Sequence, residues 1–329
     1  MPTKDALLEQ LKEAKESWIS GETLAAGLMV SRSAVWKQVR ALQDEGYLIE
    51  SSTKKGYRLR KRSELLLPAE IRDGLRTALF GQERIDYFPR IDSTNIRARM
   101  IAAEGAPEGS VVVAEEQLQG KGRRGRVWFS PAGEGIYCSV ILRPRIPPYD
   151  APQLVLASAV AAAETLLGHT ALPVAIKWPN DILVSGRKIA GILTEMSVDM
   201  DRIDYVIIGL GLNVNTPAEN LPPEIAGIAT SLRAETGQTI SRAALLRTYL
   251  EKLEGLYALF QERNFEPIRE RWLDLAKIIG RQVKIAGVET TYEGEVVDID
   301  PNGFLILKSA DGTTQRILAG DVSLIGDCS

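Results

Sequence analysis

The chain has 329 residues, of which 45% are hydrophobic and 25% are charged, which predicts two or three domains of ordinary globular composition. No stretch approaches 18 uninterrupted apolar residues and the first residues lack a signal-peptide pattern, so we expect a cytoplasmic protein without a membrane span. Only two cysteines and one histidine are present, which argues against a disulfide framework, a zinc site and histidine-based catalysis.

The net charge of −3 is unevenly distributed along the chain. Residues 1–62 contain 12 Lys and Arg against 8 Asp and Glu, a charge of +4, so the rest of the chain carries −7. A basic amino-terminal region on an otherwise acidic protein indicates a polyanionic partner for that region alone.

The basic amino-terminal region has the pattern of a winged helix-turn-helix domain, residues 1–63. Periodic apolar residues predict three helices and then two strands, over residues 5–16, 20–28, 31–45, 47–50 and 56–60. The third helix would enter the major groove of DNA. Its outer face, its cap and the tip between the strands hold the candidate DNA-binding residues Ser31, Arg32, Ser33, Trp36, Lys37, Arg40, Lys54 and Lys55. The alternative is a helical docking module that never contacts DNA.

Beyond a polar linker, alternating strand and helix patterns predict a mixed-sheet α+β domain over residues 66–275. Strands are expected over 111–114, 135–142, 174–178, 181–184, 188–196 and 205–212, and helices over 154–167 and 242–261. Residues 277–326 then show short strands with tight turns, over 282–286, 290–298, 304–308 and 314–318, which predicts a small β-barrel. The whole chain is therefore expected to be a multidomain α+β protein.

The segment Gly120-Lys-Gly-Arg-Arg-Gly-Arg-Val-Trp128 lies between two predicted strands and carries the strongest chemical signal. Glycine permits backbone conformations that allow amides to close around an anion, and the four cations favour carboxylate or phosphate. We expect a mobile loop that an anionic ligand orders. A solvated basic loop or a segment that touches nucleic acid is the alternative.

Three further motifs follow this loop in the sequence: Lys177-Trp-Pro-Asn-Asp181, Arg187-Lys-Ile-Ala-Gly191 and Gly209-Leu-Gly-Leu-Asn213. The turn Ser185-Gly186 lies between the first two and predicts a hairpin that brings their polar groups to one sheet face. The third motif lacks the last glycine of a dinucleotide fingerprint, and the sequence contains no P-loop, so any nucleotide is bound in another way.

Together with Asp92-Ser93-Thr94-Asn95, Gln117 and the winged helix, these motifs resemble the bifunctional biotin–protein ligases that also repress the biotin operon. The resemblance implies a catalytic domain of the class II synthetase and lipoate-ligase type, followed by an SH3-like barrel. It implies that ATP with Mg²⁺ and biotin form biotinyl-5′-adenylate. The biotinyl group then passes to a lysine of the biotin carboxyl carrier protein of acetyl-CoA carboxylase. Regulatory members bind the adenylate as corepressor, form a homodimer and bind biotin operator DNA.

The resemblance also implies roles for individual residues. The biotin site would comprise Ser93, Thr94, Asn95, Gln117, Gly120, Lys121, Gly122, Arg123, Lys188 and Gly191. The ATP and adenylate site would comprise Arg124, Arg126, Trp128, Lys177, Asn180 and Asn213. The candidate catalytic residues are Lys188, Arg123 and Asp181. For Asp181, a structural carboxylate paired with a nearby cation is an equal alternative. No carboxylate cluster is visible, so Mg²⁺ should be held mainly by phosphates and water.

Two departures from the family pattern affect these assignments. Lys121 stands where some members have arginine, and the segment 321–326 lacks a late arginine found in the regulatory type. Three other functions also stay open: a ligase whose head does not bind DNA, a non-catalytic transcription factor that senses an anionic metabolite, and a lipoate–protein ligase. The sequences Gly-Arg-Arg-Gly-Arg-Val-Trp and Lys-Trp-Pro-Asn-Asp favour biotin over lipoate.

Overall fold

The computed structural model describes residues 3–200, 202–262, 265–287, 290–318 and 320–324. The chain forms two compact units, Met1–Asp73 and Gly74–Ser329. The second unit contains both the large mixed sheet and the small carboxy-terminal sheet.

The first unit has the predicted order of a winged helix-turn-helix. Its elements are α1 (Thr3–Glu13), α2 (Gly21–Gly27), α3 (Arg32–Asp44), β1 (Leu48–Ser52), β2 (Gly56–Lys61) and α4 (Pro68–Arg72). The hydroxyls of Ser20 and Ser31 accept hydrogen bonds from the amides of Thr23 and Ala34 at 2.9 and 3.2 Å, which defines the starts of α2 and α3. The inward face of α3 is buried as predicted, at Val35, Val39 and Leu42.

The first unit continues past the predicted boundary at residue 63 and ends at Asp73. Ile71 is fully buried, and the carboxylate of Glu70 accepts a hydrogen bond from the Tyr47 hydroxyl at 2.9 Å. Lys12 Nζ lies 2.8 Å from the same carboxylate. Burial, together with the charge of Glu70, raises the pKa of Tyr47, so its hydroxyl remains a donor. The polar linker thus precedes α4 and does not end the unit.

The large sheet of the second unit has seven strands among the described residues. They are β3 (Ile85–Phe88), β4 (Val111–Ala114), β5 (Gly135–Leu142), β6 (Val174–Lys177), β7 (Asp181–Val184), β8 (Arg187–Asp199) and β9 (Arg202–Asn213). Their order is β3-β4-β5-β9-β8-β7-β6. The β3–β4 pair is parallel and the other pairs are antiparallel. Ser185 and Gly186 both have positive φ and form the tight turn of the predicted hairpin.

Six α-helices accompany this sheet among the described residues of the second unit. They are α5 (Thr94–Ala103), α6 (Ala151–His169), α7 (Pro223–Ala226), α8 (Leu232–Thr236), α9 (Arg242–Gln261) and α10 (Glu266–Ala276). Helix α5 packs on the sheet through Ala98 and Ile101, against Val112, Ile141 and Ile207. Helix α6 is long and apolar enough to cross a membrane, but 72% of that stretch is buried inside the unit, as expected of a core helix.

A five-stranded antiparallel sheet follows in the described carboxy-terminal residues. Its strands are β10 (Gln282–Ala286), β11 (Thr291–Ile299), β12 (Leu305–Lys308), β13 (Thr314–Ile317) and β14 (Asp321–Leu324). Their order is β13-β12-β11-β10-β14. A small β domain is therefore confirmed, whereas its SH3-like form stays a prediction.

The strongly patterned elements lie close to their predicted positions, but several others were not predicted. The omitted elements include β3, α5, α10 and β14. Helix α5 shows why, because it has almost no amphipathic pattern: Thr94 and Asn95 are buried along with its apolar residues. Hydrophobic periodicity cannot detect a helix whose buried face is partly polar.

Candidate functional site

The large sheet and the basic loop enclose a cavity of about 490 Å³. Its walls come from the start of α5, the loop 120–128, the β6–β7 turn and the facing ends of β8 and β9. All the ligand-binding and catalytic residues predicted from the sequence line this cavity, except Gly120 and Arg124. Motifs far apart in the chain thus converge on one site.

The charges in this cavity are strongly biased. Its lining includes five cationic side chains, Lys121, Arg123, Arg126, Lys177 and Lys188, and one acidic side chain, Asp181. Low-dielectric walls concentrate the field of such a cluster, so the cavity favours ligands with several negative charges.

One end of the cavity is a buried network of neutral polar groups. The Gln117 side-chain oxygen accepts a hydrogen bond from the Thr94 amide at 2.9 Å, and Gln117 Nε2 donates to Ser130 Oγ at 3.1 Å. The Ser139 hydroxyl lies 2.9 Å from Thr94 Oγ1 and 2.7 Å from Asn95 Oδ1. Such an end suits an uncharged ring with hydrogen-bonding groups better than a phosphate.

Ser139 does not line the cavity itself but contacts two residues that do, and it was not among the predicted residues. It lies in the middle of β5, whose eight residues are all buried, and its own exposure is 0%. A hydroxyl inside an otherwise apolar strand was the available signal, because a buried polar group needs a partner.

Asn95 lines the cavity but its amide is already engaged by the protein. Its Nδ2 donates to the Leu193 carbonyl at 3.2 Å and to Glu195 Oε2 at 2.8 Å. A Cβ on Gly209 would lie 2.1 Å from Asn95 Oδ1, so glycine is required for this close approach. These contacts fix Asn95 as part of the wall.

The basic loop forms a short hairpin over the cavity. Gly122 N donates to the Arg126 carbonyl at 2.7 Å, and Trp128 N donates to the Gly120 carbonyl at 2.8 Å. Arg124 has a φ of 55°, in the left-handed region, which turns the chain at the tip.

Two arginines of the loop contact other parts of the second unit. Arg123 Nη1 donates to Asn180 Oδ1 at 3.1 Å and to the Gly320 carbonyl at 3.4 Å. Arg124 Nη2 instead donates to the Ala286 carbonyl at 3.0 Å, which places its guanidinium on the carboxy-terminal sheet. Arg124 therefore does not join the cavity lining, contrary to the sequence-based expectation for an ATP ligand.

Trp128 lies flat against glycines of β8 and β9. A Cβ on Gly211 would lie 2.5 Å from Trp128 Cε2, and one on Gly191 would lie 3.2 Å from Trp128 Cζ3. Lys188 Nζ is 5.3 Å from the centroid of the Trp128 ring and contributes a cation–π contact. The glycines of the two predicted motifs thus make room for an aromatic wall.

Lys188 and Asp181 form an ion pair at 2.6 Å across the β7–β8 hairpin. Both are partly exposed to the cavity, with side-chain exposures of 33% and 23%. This pair is the arrangement expected if Asp181 is a structural carboxylate, and it also holds Lys188 at the cavity wall. Both proposed roles of Asp181 are compatible with the geometry.

The two predicted asparagines also have structural partners. Asn180 Nδ2 donates to the Ile192 carbonyl at 2.8 Å, while its Oδ1 accepts from Arg123. Asn213 Nδ2 donates to the Thr230 carbonyl at 3.0 Å. The oxygen of Asn213 is therefore the part of that amide with no hydrogen bond identified among the described residues.

Of the histidine and cysteine that the structure describes, His169 and Cys138, neither lines the cavity. His169 ends α6, where its Nδ1 lies 2.9 Å from the Thr165 carbonyl. Burial raises the pKa of the Cys138 thiol to about 12, so this residue stays neutral in the core. Among the described residues there is no cluster of His, Cys, Asp and Glu that could hold a metal ion.

The first unit presents the predicted DNA-binding residues on its surface. Seven of them, Arg32, Ser33, Trp36, Lys37, Arg40, Lys54 and Lys55, are exposed, as is Ser31, whose hydroxyl caps α3. Trp36 is 54% exposed, with the Arg40 guanidinium 5.5 Å from its ring centre. The outer face of α3 is therefore a basic surface with an aromatic group at its centre.

Three protein families match successive parts of the chain. Residues 3–58 match an HTH domain, residues 87–213 match the Biotin/lipoate A/B protein ligase family, and residues 278–325 match the Biotin protein ligase C terminal domain. The order agrees with the winged helix, the cavity-bearing sheet and the small β domain of the structure.

Individual proteins match over most of their length. The chain is 41% identical to the bifunctional ligase/repressor BirA of Bacillus spizizenii, over 97% of each protein. It is 32% identical to the Escherichia coli protein of that name, over 93% of this chain and 92% of the relative. The biotin protein ligase of Aquifex aeolicus in complex with biotin and ATP superposes with a TM-score of 0.64 and 29% identity, covering 74% of this chain and 99% of the other.

The chain thus belongs to the biotin–protein ligases, and within them to the family of bifunctional ligase/repressors. The sequence-based prediction of an ATP-dependent biotin–protein ligase with a DNA-binding head is confirmed at this level. The expected roles of individual residues stay predictions.

Proposed function

We propose that the cavity joins biotin to ATP, forming biotinyl-5′-adenylate and pyrophosphate, and then transfers the biotinyl group to a lysine of a biotin carboxyl carrier protein. The observation that carries this proposal is the five-cation cavity with a neutral polar end. Biotin's carboxylate and the α-phosphate of ATP repel each other in water. A preorganised group of cations offsets that repulsion and stabilises the charge that develops at phosphorus.

The two ends of the cavity suit the two substrates. Thr94 and Gln117 line the cavity and would supply donors and acceptors for the ureido ring of biotin, while Ser139 holds Thr94 in place. The biotin tail and carboxylate would then run along Lys121, Gly122 and the glycine shelf of Gly191 toward Lys188. This orientation places the carboxylate among the cations, where the reaction has to occur.

ATP would occupy the part of the cavity beside Trp128. The indole offers a flat surface to the nucleotide, and the unengaged oxygen of Asn213 can accept a hydrogen bond from the adenine amino group. Arg126, Lys177 and Asn180 line the same region and would meet the phosphates. Arg124 would join them only by leaving the Ala286 carbonyl.

Lys188 would bridge the biotin carboxylate and the α-phosphate during adenylate formation. A carboxylate oxygen attacks the α-phosphorus, the bond to the β-phosphate oxygen breaks, and pyrophosphate leaves. Asp181 fixes the position of the Lys188 ammonium through the 2.6 Å ion pair. The hairpin formed by residues 120–128 would cover the adenylate and exclude water from this mixed anhydride.

In the second step the amine of the acceptor lysine attacks the biotinyl carbonyl carbon. The bond to the phosphate oxygen breaks, AMP leaves, and the amine must lose a proton because its ordinary pKa is about 10.4. Asp181 faces the cavity and would orient this amine or accept its proton. An Asp181→Asn variant separates the two roles. If Asp181 accepts the proton, the transfer rate of the variant should rise more steeply with pH than that of the unchanged protein. If Asp181 only orients the amine, the two pH dependences should have the same slope.

Mg²⁺ would accompany ATP as the phosphate-bound ion. In the described part of the chain no carboxylate cluster surrounds the cavity, so the phosphates and water would supply most of its ligands. The ion would neutralise the β- and γ-phosphates and so assist the departure of pyrophosphate.

The first unit would bind biotin operator DNA as part of a homodimer that forms when the adenylate is bound. The exposed face of α3 and the tip between β1 and β2 provide cations for phosphates and side chains for base edges. Dimeric helix-turn-helix proteins read two half-sites about one helical turn apart, one with each copy. These substrates and this partner are consistent with a cytoplasmic location.

The decisive experiment is intact-mass analysis of a biotin carboxyl carrier domain incubated with this protein, biotin and Mg·ATP. One added biotinyl group is expected, with no addition when lipoate replaces biotin. An unmodified carrier together with no biotin-dependent ATP–pyrophosphate exchange would contradict the ligase function and favour a metabolite sensor.

Operator binding needs its own measurement. Electrophoretic mobility shift with biotin operator DNA is expected to be strengthened by biotinyl-5′-AMP, with dimerisation seen by analytical ultracentrifugation. A protein that biotinylates the carrier and yet leaves the migration of the DNA unchanged would be a ligase whose first unit does not bind operator DNA.

A further inference from the structure

A polar network lies behind the Asn213 amide, one layer outside the active-site cavity. Its centre is the carboxylate of Glu235 on α8. Glu235 Oε1 accepts hydrogen bonds from the Thr230 hydroxyl at 2.6 Å and from Arg187 Nη2 at 2.7 Å. Thr230 is fully buried, and the Glu235 side chain is 10% exposed. Glu235, Thr230 and Arg187 do not line the cavity, and the proposed reaction makes no use of them.

The backbone of α8 sets the position of Glu235. The helix is capped by Ser231, whose hydroxyl accepts a hydrogen bond from the amide three residues further on at 3.0 Å. The Arg233 amide donates to the Val214 carbonyl at 2.8 Å, which ties the start of the helix to the residue that follows Asn213. Helix α8, with the carboxylate it carries, is therefore anchored beside the end of β9.

Thr230 connects this anchor to two residues of the active site. Its hydroxyl donates to Glu235, and its amide donates to the Lys188 carbonyl at 2.9 Å. Its carbonyl accepts a hydrogen bond from Asn213 Nδ2 at 3.0 Å. Because all three polar groups of Thr230 are engaged, the direction of the carbonyl that faces Asn213 is fixed.

The Thr230 carbonyl determines how the Asn213 amide is oriented. A backbone carbonyl can only accept a hydrogen bond, so the amide nitrogen must face it and the amide oxygen must point elsewhere. Asn213 is buried and lines the cavity, and no hydrogen bond of its oxygen is identified in the part of the chain that the structure describes. The network thus presents a ligand with a fixed acceptor, in place of an amide that can turn over.

A fixed acceptor distinguishes purine bases by the group at position 6. The amino group of adenine donates a hydrogen bond, whereas the oxo group of guanine or hypoxanthine can only accept one. Facing the Asn213 oxygen, the amino group gains a hydrogen bond, but the oxo group leaves two buried acceptors against each other. An amide free to turn over would serve an oxo base equally well through its nitrogen.

We propose that Glu235 is a positioning residue for nucleotide selection. Through Thr230 it holds the Asn213 amide in the orientation that admits a 6-amino purine and rejects a 6-oxo purine. The inference rests on the proposed binding of adenine beside Asn213. Arg187 completes the arrangement, because its guanidinium can only donate and fixes the same carboxylate oxygen from the side of β8.

The test compares three nucleotides with the Glu235→Ala variant. ATP carries the 6-amino group, inosine triphosphate carries a 6-oxo group, and purine riboside triphosphate carries neither. Biotin-dependent ATP–pyrophosphate exchange gives the KM for ATP and the Ki of the other two as competitors. For the unchanged protein, the Ki of inosine triphosphate should exceed the KM for ATP by at least about 100-fold.

In Glu235→Ala, the ratio of the inosine triphosphate Ki to the ATP KM should fall at least about tenfold, since one oriented hydrogen bond is lost. The kcat with ATP should change little, because the amide binds the base and does not act on the reacting atoms. The Ki of purine riboside triphosphate should also stay the same, because this base has no group at position 6 for the amide to meet.

Thr230→Val and Thr230→Ser form a matched pair. Valine removes the hydroxyl that Glu235 binds, whereas serine keeps a hydroxyl there, so only Thr230→Val should lower the ratio. Glu224→Ala controls for the loss of a carboxylate, since Glu224 is exposed on α7 and does not line the cavity. If Glu235→Ala does not fold, the two Thr230 variants decide the question by themselves.

A double variant shows whether Glu235 acts through Asn213. Asn213→Ala removes the acceptor and should itself lower the ratio. Adding Glu235→Ala to Asn213→Ala should then lower the ratio no further, because both changes remove the same contact.

Three results would overturn the inference. One is an unchanged ratio in folded Glu235→Ala and Thr230→Val proteins, and another is an equal weakening of all three nucleotides, the effect of a general structural role. The third is a further fall of the ratio in the double variant. Equal binding of ATP and inosine triphosphate by the unchanged protein overturns the inference but not the ligase function. A complete lack of biotin-dependent exchange is a separate outcome, because it contradicts the proposed function itself.

Discussion

The two basic regions of the molecule hold their positive charge in different ways. On the first unit, Arg32, Lys37 and Lys54 are exposed, and no ion pair or hydrogen bond of their side chains is identified within residues 3–73. In the second unit, Arg123 and Lys188 are each held by a named partner, Asn180 and Asp181, at 3.1 and 2.6 Å. Flexible cations suit a long polyanion, whereas fixed cations suit one small ligand of defined shape.

This difference predicts different consequences of losing one charge. Exposed cations contribute to DNA binding mainly through counterion release, so each accounts for a modest and salt-dependent part of the affinity. A fixed cation in a cavity acts on charge that develops during the reaction, and its effect is larger and less sensitive to salt. The following variants test this contrast.

The largest effect is expected for Lys188→Ala. Adenylate formation should slow by about 10²–10³-fold, the loss typical of one preorganised electrostatic group. Biotin-dependent ATP–pyrophosphate exchange measures this rate, and a thermal melt checks the fold. Lys252→Ala is the matched control, because Lys252 pairs with Glu164 outside the cavity. Near-normal exchange in folded Lys188→Ala protein would refute the role of this lysine.

A somewhat smaller effect is expected for Gly211→Ala. The new Cβ would lie 2.5 Å from the Trp128 ring and displace it from the cavity wall. An aromatic contact with a base is worth about 1–3 kcal/mol, so losing it should raise the KM for ATP by about 10–100-fold. Gly255→Ala is a suitable comparison, since a Cβ there meets open space. An unchanged KM for ATP would show that Trp128 does not contact the nucleotide.

Arg123→Gly should loosen the retention of the adenylate. Hydrogen bonds to charged groups contribute about 1.5–3 kcal/mol, so release should be faster by roughly tenfold or more. The half-life of bound adenylate and the labelling of bystander lysines both report this. Arg145→Gly removes an exposed arginine elsewhere and should change neither. Equal half-lives for the two variants would mean that Arg123 retains the adenylate no better than an exposed arginine outside the cavity.

The smallest effect is expected for Lys37→Ala on the first unit. Affinity for operator DNA should fall several-fold. If Lys37 contacts one phosphate, the negative slope of log K against log salt should become shallower by about 0.9. Fluorescence anisotropy at several salt concentrations measures both quantities. Lys61→Ala should have less effect, because Lys61 pairs with Glu64 at 2.6 Å. If the slope of log K against log salt is the same for Lys37→Ala and the unchanged protein, Lys37 does not contact a phosphate, which contradicts a DNA interface on this face of α3.

Patterns local in the sequence were sufficient for most of the architecture. The caps at Ser20 and Ser31 and the Ser185-Gly186 turn lie where local preferences put them, because each depends on bonds within a few residues. The motifs around Gly120–Trp128 and Lys177–Asp181 likewise identified the cavity, since anion binding needs glycine and cations in short segments.

The remaining features depend on contacts between distant parts of the chain, and only the tertiary structure decided them. Ser139 meets Thr94 across 45 positions, Arg124 binds the carbonyl of Ala286, and Arg187 meets Glu235 across 48 positions. Helix α5 and the end of the first unit at Asp73 could not be predicted from local sequence patterns for the same reason. Sequence alone determined which segments fold and which charges they carry, because those properties are local. Packing determined which of these groups meet, because burial and hydrogen bonding act through space.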